Sequence, residues 1–221
     1  MRGGQGGEVR LKLLLTMSLL AVSPPYDIRP VPARSWAEAL GVDDPERNGA
    51  RRVNDAIDWL AEHKLIVSER RRGTPGAVRL LSQSGDGGPY TRPITSGRYV
   101  RLPLGLWDQG WIVRLSGAAL TMLIVLLDMQ GGRAQPQWIS PTQVRNRYDL
   151  SPYTWSKGVR ELQAHGLVSV SKRSQGDIFD YRRLRNAYWV NEEKLQGAEP
   201  ASNRTTRRRR PAATRRTQAR G

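Results

Sequence analysis

Cysteine is missing from this chain and histidine occurs only twice. Without thiols there is no disulfide, no thiolate nucleophile and no cysteine-held metal, and a reducing cytoplasm is the compartment that fits best. The two histidines, His63 and His165, stand at equivalent helix ends in separate halves of the chain, so they form no catalytic pair. No GxxxxGK[ST] run is present to cradle nucleotide phosphates, and GGQGG near the start opens no helix after a strand. An HxH pair of the kind a strand-nicking enzyme would use with a tyrosine is also missing. Asp177 and Asp180 have no third partner to hold a metal. These gaps argue against an enzyme, a cofactor and a metal site, and in favour of binding. Acid is the scarce charge: 20 acidic residues face 36 basic ones, a net charge of +16, and all but five of the basic residues are arginine. Such an excess selects polyanionic partners.

Long apolar runs are scarce too. The run at 13–22 follows Arg2, Arg10 and Lys12 in the manner of a signal peptide, but Glu8 interrupts the basic region and the run is too short to span a bilayer. No membrane partner is expected. The reading adopted is that this segment is the first core helix of a domain, because Leu15, Thr16 and Met17 return as Leu120, Thr121 and Met122.

The most informative stretch is 138–186, WISPTQVRNRYDLSPYTWSKGVRELQAHGLVSVSKRSQGDIFDYRRLRN. Ser140 before Pro141 is an N-cap followed by proline at the first helical position, and Ser151 before Pro152 repeats the signal. Two helices therefore start close together. In the second, Trp155, Val159 and Leu162 form one apolar stripe, and Gly166 supplies the stop. An alternating segment at 167–170, a turn at 174–177 and a segment at 178–181 predict a hairpin, and 180–190 continue the wing. The pattern is a helix-turn-helix followed by a β-wing.

The second helix shows Tyr153, Ser156, Lys157 and Arg160 on its other side, with Glu161 at the edge as the sole acid. Arginine and lysine pair with guanine edges and phosphates, so this face suits a major groove. Most helices carry a polar outer face. The wing cations Lys172 and Arg173, read as the hairpin tip, favour the groove reading.

The first half repeats the order of elements. A proline-rich loop at 23–34 precedes a helix opened by Ser35, and 43–45 begin another with the apolar stripe Val53, Ala56, Ile57 and Leu60. A hairpin follows around Arg70, Arg71 and Arg72. Shifting by 102 places Ile57, Leu60, His63, Leu65, Ile66 and Arg71 on Val159, Leu162, His165, Leu167, Val168 and Arg173. Self-similarity at a fixed offset indicates two copies of one unit. The expected fold class is α+β, mainly α with small β-wings. The expected layout is a first domain at 8–82, a linker at 83–98, a second domain at 99–192, and a disordered basic tail at 197–221 that contains RRRR. Within the second domain, 99–104 reads as a strand, 106–110 as a short helix or turn with Trp107 and Trp111 nearby, and 115–129 as an apolar helix.

The copies differ where it matters. Against Tyr153, Lys157, Arg160 and Ala164 the first has Arg51, Asp55, Asp58 and Glu62, and three acids in a row repel phosphates. Only the helix start, with Arg47, Asn48, Arg51 and Arg52, suits DNA. The expectation is that the second unit reads base edges while the first grips backbone through that start and Arg70, Arg71 and Arg72. The acidic face is then left for a protein partner.

SPTQVRNRYDLSPYTWSKGVRELQAHGLVSV resembles the winged helix-turn-helix superfamily. The preceding YVRLPLGLWDQGWIVRLSGAALTML is similar to the strand and first helix ahead of such domains in plasmid and phage replication proteins. The resemblance covers roughly 8–190, and tandem copies are similar in layout to plasmid replication initiators. It implies a double-stranded DNA reader in the cytoplasm, associated with the nucleoid. Three roles remain open: a transcriptional regulator, a replication initiator binding origin repeats, and a structural nucleoid or RNA-binding protein.

Overall fold

Helices and hairpins alternate in the same order in both halves of the computed structural model, which describes residues 6–71, 74–92, 99–174 and 184–197. The first unit runs α1 (Gly7–Leu20), β1 (Asp27–Ile28), α2 (Ala33–Ala39), a π-helical turn (Pro45–Gly49), α3 (Ala50–Glu62), β2 (Ile66–Arg71) and β3 (Thr74–Leu80). Two short helices, α4 (Gly105–Asp108) and α5 (Trp111–Arg114), lead into the second. That unit comprises α6 (Gly117–Gln130), β4 (Gln137–Trp138), α7 (Pro141–Tyr148), α8 (Pro152–Ala164), β5 (Val168–Ser174) and β6 (Leu184–Val190), with α9 (Glu192–Leu195) after it. The fold is therefore α+β, with two small antiparallel three-stranded sheets ordered β1-β3-β2 and β4-β6-β5.

Local chemistry explains the helix boundaries. Ser140 Oγ accepts the Gln143 N–H at 3.2 Å while the Gln143 side chain accepts the Ser140 N–H at 3.0 Å, a reciprocal capping box that starts α7. Ser151 Oγ accepts the Thr154 N–H at 3.1 Å and starts α8, with Pro152 at the first position. Gly166 at φ +67° ends that helix, letting the Leu167 N–H reach the Leu162 carbonyl at 2.9 Å. Ahead of α3 the Asp44 carboxylate accepts the Asn48 N–H at 3.1 Å.

The offset of 102 holds for these elements: Ala50 to Glu62 falls on Pro152 to Ala164, and Ile66 falls on Val168. The expected match of Leu15, Thr16 and Met17 to Leu120, Thr121 and Met122 is corrected. Both α1 and α6 are 14 residues long, and their ends align at an offset of 110. In that register the buried Val9, Lys12, Leu13, Thr16 and Met17 fall on Ala119, Met122, Leu123, Leu126 and Leu127, all buried too. Burial periodicity fixes a helix register, whereas a repeated tripeptide between apolar runs arises readily by chance.

Other expectations shift. Residues 99–104 form no strand, because a proline at 103 and the turn into α4 break the alternation. Helix α2 starts two residues before Ser35, and the loop at 23–34 contains β1. The strand that pairs with β5 is Leu184–Val190, inside the expected wing continuation at 180–190, with Ser174 opposite Leu184. Residues 175–183, which contain the segment expected at 178–181, lie outside those described. So do 198–221, where the basic tail was expected, and 93–98 of the expected linker. Before them, Leu81 bridges Pro89 and Tyr90 meets Tyr26 edge-on at 4.9 Å.

One contiguous apolar core runs through both units, from Leu13, Met17, Leu60 and Leu80 to Leu120, Met122, Leu123 and Leu162. Helices α1 and α6 pack on each other at the junction, and polar ties lock them. Glu8 accepts the Gly117 N–H at 2.9 Å. Lys12, 3% exposed, pairs with Glu8 at 2.8 Å and donates to the Val113 carbonyl at 3.1 Å. Trp107 Nε1 donates to Thr16 Oγ1 at 3.1 Å.

Candidate nucleic-acid interface

Helix α8 turns Gly158, Val159 and Leu162 into the core, which fixes what it presents outward. Tyr153 (73% exposed), Ser156, Lys157 and Arg160 all face solvent, as the sequence leads one to expect. Neither Lys157 nor Arg160 makes an ion pair among the described residues. The acid at the edge of this face is withdrawn: Glu161 Oε1 accepts the Ser116 N–H at 2.7 Å and Oε2 accepts the Ser116 hydroxyl at 2.5 Å. A carboxylate at the N-terminus of α6 is favoured by the unpaired amides there. The same contact that anchors α8 on α6 thus engages that carboxylate at the start of α6 rather than leaving it free beside Lys157.

Close packing sets the depth of α8. A Cβ on Gly158 would lie 2.5 Å from the Ala118 carbonyl oxygen and would overlap Met122 Cγ, so glycine is what lets the helices approach. Helix α7 sits ahead of it, tied to α6 by Arg147 and Tyr148, which both reach Asp128 Oδ2, at 3.2 and 2.5 Å. Its exposed Arg145 and Asn146 escaped the sequence reading, although counting cations on the outer face of α7 as well as of α8 would find the arginine.

The wing departs from expectation. Lys172 and Arg173 lie within β5, opposite Asn186 and Arg185, and not at the hairpin tip, because pairing continues to Ser174. Adjacent strand residues point to opposite faces. Lys172 continues the face of Val168 and Val170, which packs toward α8, whereas Arg173 lies on the other and donates to Gln135 Oε1 at 3.4 Å. Both are exposed, but only Lys172 shares the side of α8.

In the first unit Arg47, Asn48 and Arg51 are exposed at the start of α3. Arg52 separates from them: it is half-buried, and its charge acts on Glu8 across the unit. Burial raises the Glu8 pKa, but the Lys12 hydrogen bond, the Gly117 N–H and the Lys12 and Arg52 charges outweigh it, so the carboxyl lies below its ordinary value. Asp55, Asp58 and Glu62 are exposed along α3. Arg70 and Arg71 close β2, and Arg72 lies outside the described residues.

The tryptophans and histidines make internal contacts. Trp111 is buried and Trp107 half-buried with its N–H bonded to Thr16. His63 stacks on Trp59 at 3.7 Å between ring centres, and His165 meets Trp111 edge-on at 5.6 Å. Among the described residues there is no cluster of three or more acids and histidines fit for a metal, and no helix long and apolar enough to cross a membrane. No family model and no curated protein matches the chain.

Proposed function

We propose that this chain is a sequence-specific double-stranded DNA-binding protein, each unit a winged helix-turn-helix, serving as a transcriptional regulator in the cytoplasm. The observation that carries this reading is the outer face of α8, where Tyr153, Ser156, Lys157 and Arg160 stand exposed together while Glu161 is bound to Ser116. In a major groove Lys157 and Arg160 meet guanine edges or phosphates, and Ser156 meets either. Helix α3 is too acidic to follow it. The first unit holds backbone through Arg47, Asn48, Arg51 and the arginines at 70–72, and Asp55, Asp58 and Glu62 are left to a protein partner. The arginines of 204–220 add a grip that is independent of sequence and sensitive to salt. With both units in one core, the geometry calls for a site of about 20 base pairs with two unequal half-sites roughly one turn apart.

The test replaces two sets of cations. Lys157→Ala with Arg160→Ala is expected to relax base preference and cost about 1–3 kcal/mol for each base no longer read. Replacing the arginines at 70–72 lowers affinity for all duplexes alike and flattens the salt slope by about one for each phosphate no longer neutralised. The groove assignment fails if neither set changes affinity. A second reading, a replication initiator, is favoured by the shared core, since two units held at one spacing suit regularly repeated origin sites. Sequencing the DNA that co-purifies separates the two: promoters support the regulator, an origin the initiator, and random fragments or folded RNA a structural role.

A further inference from the structure

We propose that a cavity beneath the start of α8 binds a small planar aromatic molecule about the size of indole, and that its occupancy changes how α8 is presented. The pocket measures about 270 Å³ and lies between α7, α8 and β6, with Val144, Leu150, Trp155 and Tyr188 as walls and Ser156, Arg185 and Asn186 on its polar, open side.

Comparison of the two units shows why it is there. Trp36 and Val144 are each the fourth residue of their helices, α2 and α7, and both are 4% exposed. In the first unit that tryptophan joins Val53 and Val78 in the contiguous core. In the second, the counterparts of the two valines are Trp155 and Tyr188, which stand only half-buried and meet edge-on with ring centres 5.4 Å apart. Val144 is buried yet lies outside the contiguous core. Exchanging the tryptophan for valine and moving aromatic bulk to the walls turns a filled position into a lined one.

The lining selects the occupant. A cavity of about 150 Å³ accepts benzene, and this larger, partly open pocket has room for a fused ring. Trp155 and Tyr188 offer ring faces and edges to a flat partner. The Trp155 N–H reaches the Tyr188 hydroxyl only at 3.4 Å, a long bond that leaves both groups able to serve a ligand substituent, as can Ser156 and Asn186. Trp155 and Ser156 belong to α8 and lie between Tyr153 and Lys157 in sequence, so a molecule seated here acts on the outer face of that helix. That coupling rests on the DNA-binding reading. The pocket itself does not.

The experiment uses the full chain, with indole as probe and hexanol as aliphatic comparator, read by calorimetry and saturation-transfer NMR. The expected result is saturable binding of indole at one site, at least tenfold tighter than hexanol. Val144→Trp restores the residue of the first unit and weakens indole at least tenfold. Leu150→Phe fills the same space from the loop before α8 and gives the same loss should the tryptophan variant not fold. No saturable binding, or binding unchanged in whichever filled variants fold, overturns the site. With a co-purified duplex, saturating indole shifts affinity at least threefold, and an unchanged affinity overturns the coupling. A chain that binds indole but no duplex overturns the DNA reading alone.

Discussion

Lys64 and Gly166 close the same turn in the two units, at φ +55° and +67°, and behind each the following leucine N–H returns to the helix at 2.9 Å. The left-handed region costs a residue with a Cβ about 1–2 kcal/mol, while glycine loses up to about 1 kcal/mol more freedom on folding. Lys64→Gly is therefore expected to stabilise the chain by about 0.5–1 kcal/mol, visible as a higher melting temperature. A lower one would contradict the turn described here. Gly158 gives the opposite balance. Alanine there gains about 1 kcal/mol in helix propensity but meets the Ala118 carbonyl oxygen at 2.5 Å, backbone that cannot rotate away. Overpacking of this kind costs about 1–3 kcal/mol, so Gly158→Ala should lower the melting temperature by lifting α8 off α6. A melting temperature above that of the parent would show that α8 does not approach α6 so closely.

At the level of elements, α3, α7 and α8 were legible because their signals are local. Ser140 and Ser151 cap within three residues, Pro141 and Pro152 follow them, and the stripe of Val53, Ala56, Ile57 and Leu60 is buried as its spacing requires. What stayed hidden depends on partners far along the chain. Strands β1 and β4 are two residues each and exist only through pairing with β3 and β6. The register of the second wing was not readable, because it is set by pairing from Val168 with Val190 to Ser174 with Leu184, which places Lys172 and Arg173 in the sheet and not at the tip. Lys12 is buried in α1, where a cation reads as surface, because Glu8 and the Val113 carbonyl satisfy it. The outward face of α8 was readable. The withdrawal of Glu161 was not, since Ser116 lies 45 residues away.

For the molecule as a whole, the shared core makes the two units one unfolding unit, and Glu8 is where acid acts on the seam. Its carboxylate sits between Lys12, Arg52 and the Gly117 N–H, so it joins charges of the first unit to the helix start of the second. The folded pKa lies below the ordinary 4.5, so the folded state favours the ionised form. The stabilisation that follows is complete above the unfolded value and is lost as pH falls through the folded one. Calorimetry on the full chain should show a single transition near neutral pH, with no separate melting of the half that carries α8. Glu8→Gln keeps an acceptor for Gly117 but leaves the buried Lys12 without its counter-charge, so the variant should melt lower at pH 7. The gap should narrow as pH falls below 4.5 and close once it has passed the lower folded value, where protonated Glu8 is as neutral as glutamine. Two resolved transitions at neutral pH would mean that the packing of α1 on α6 does not couple the units. A gap that persists unchanged into acid would mean that the Glu8 charge is not what holds the seam.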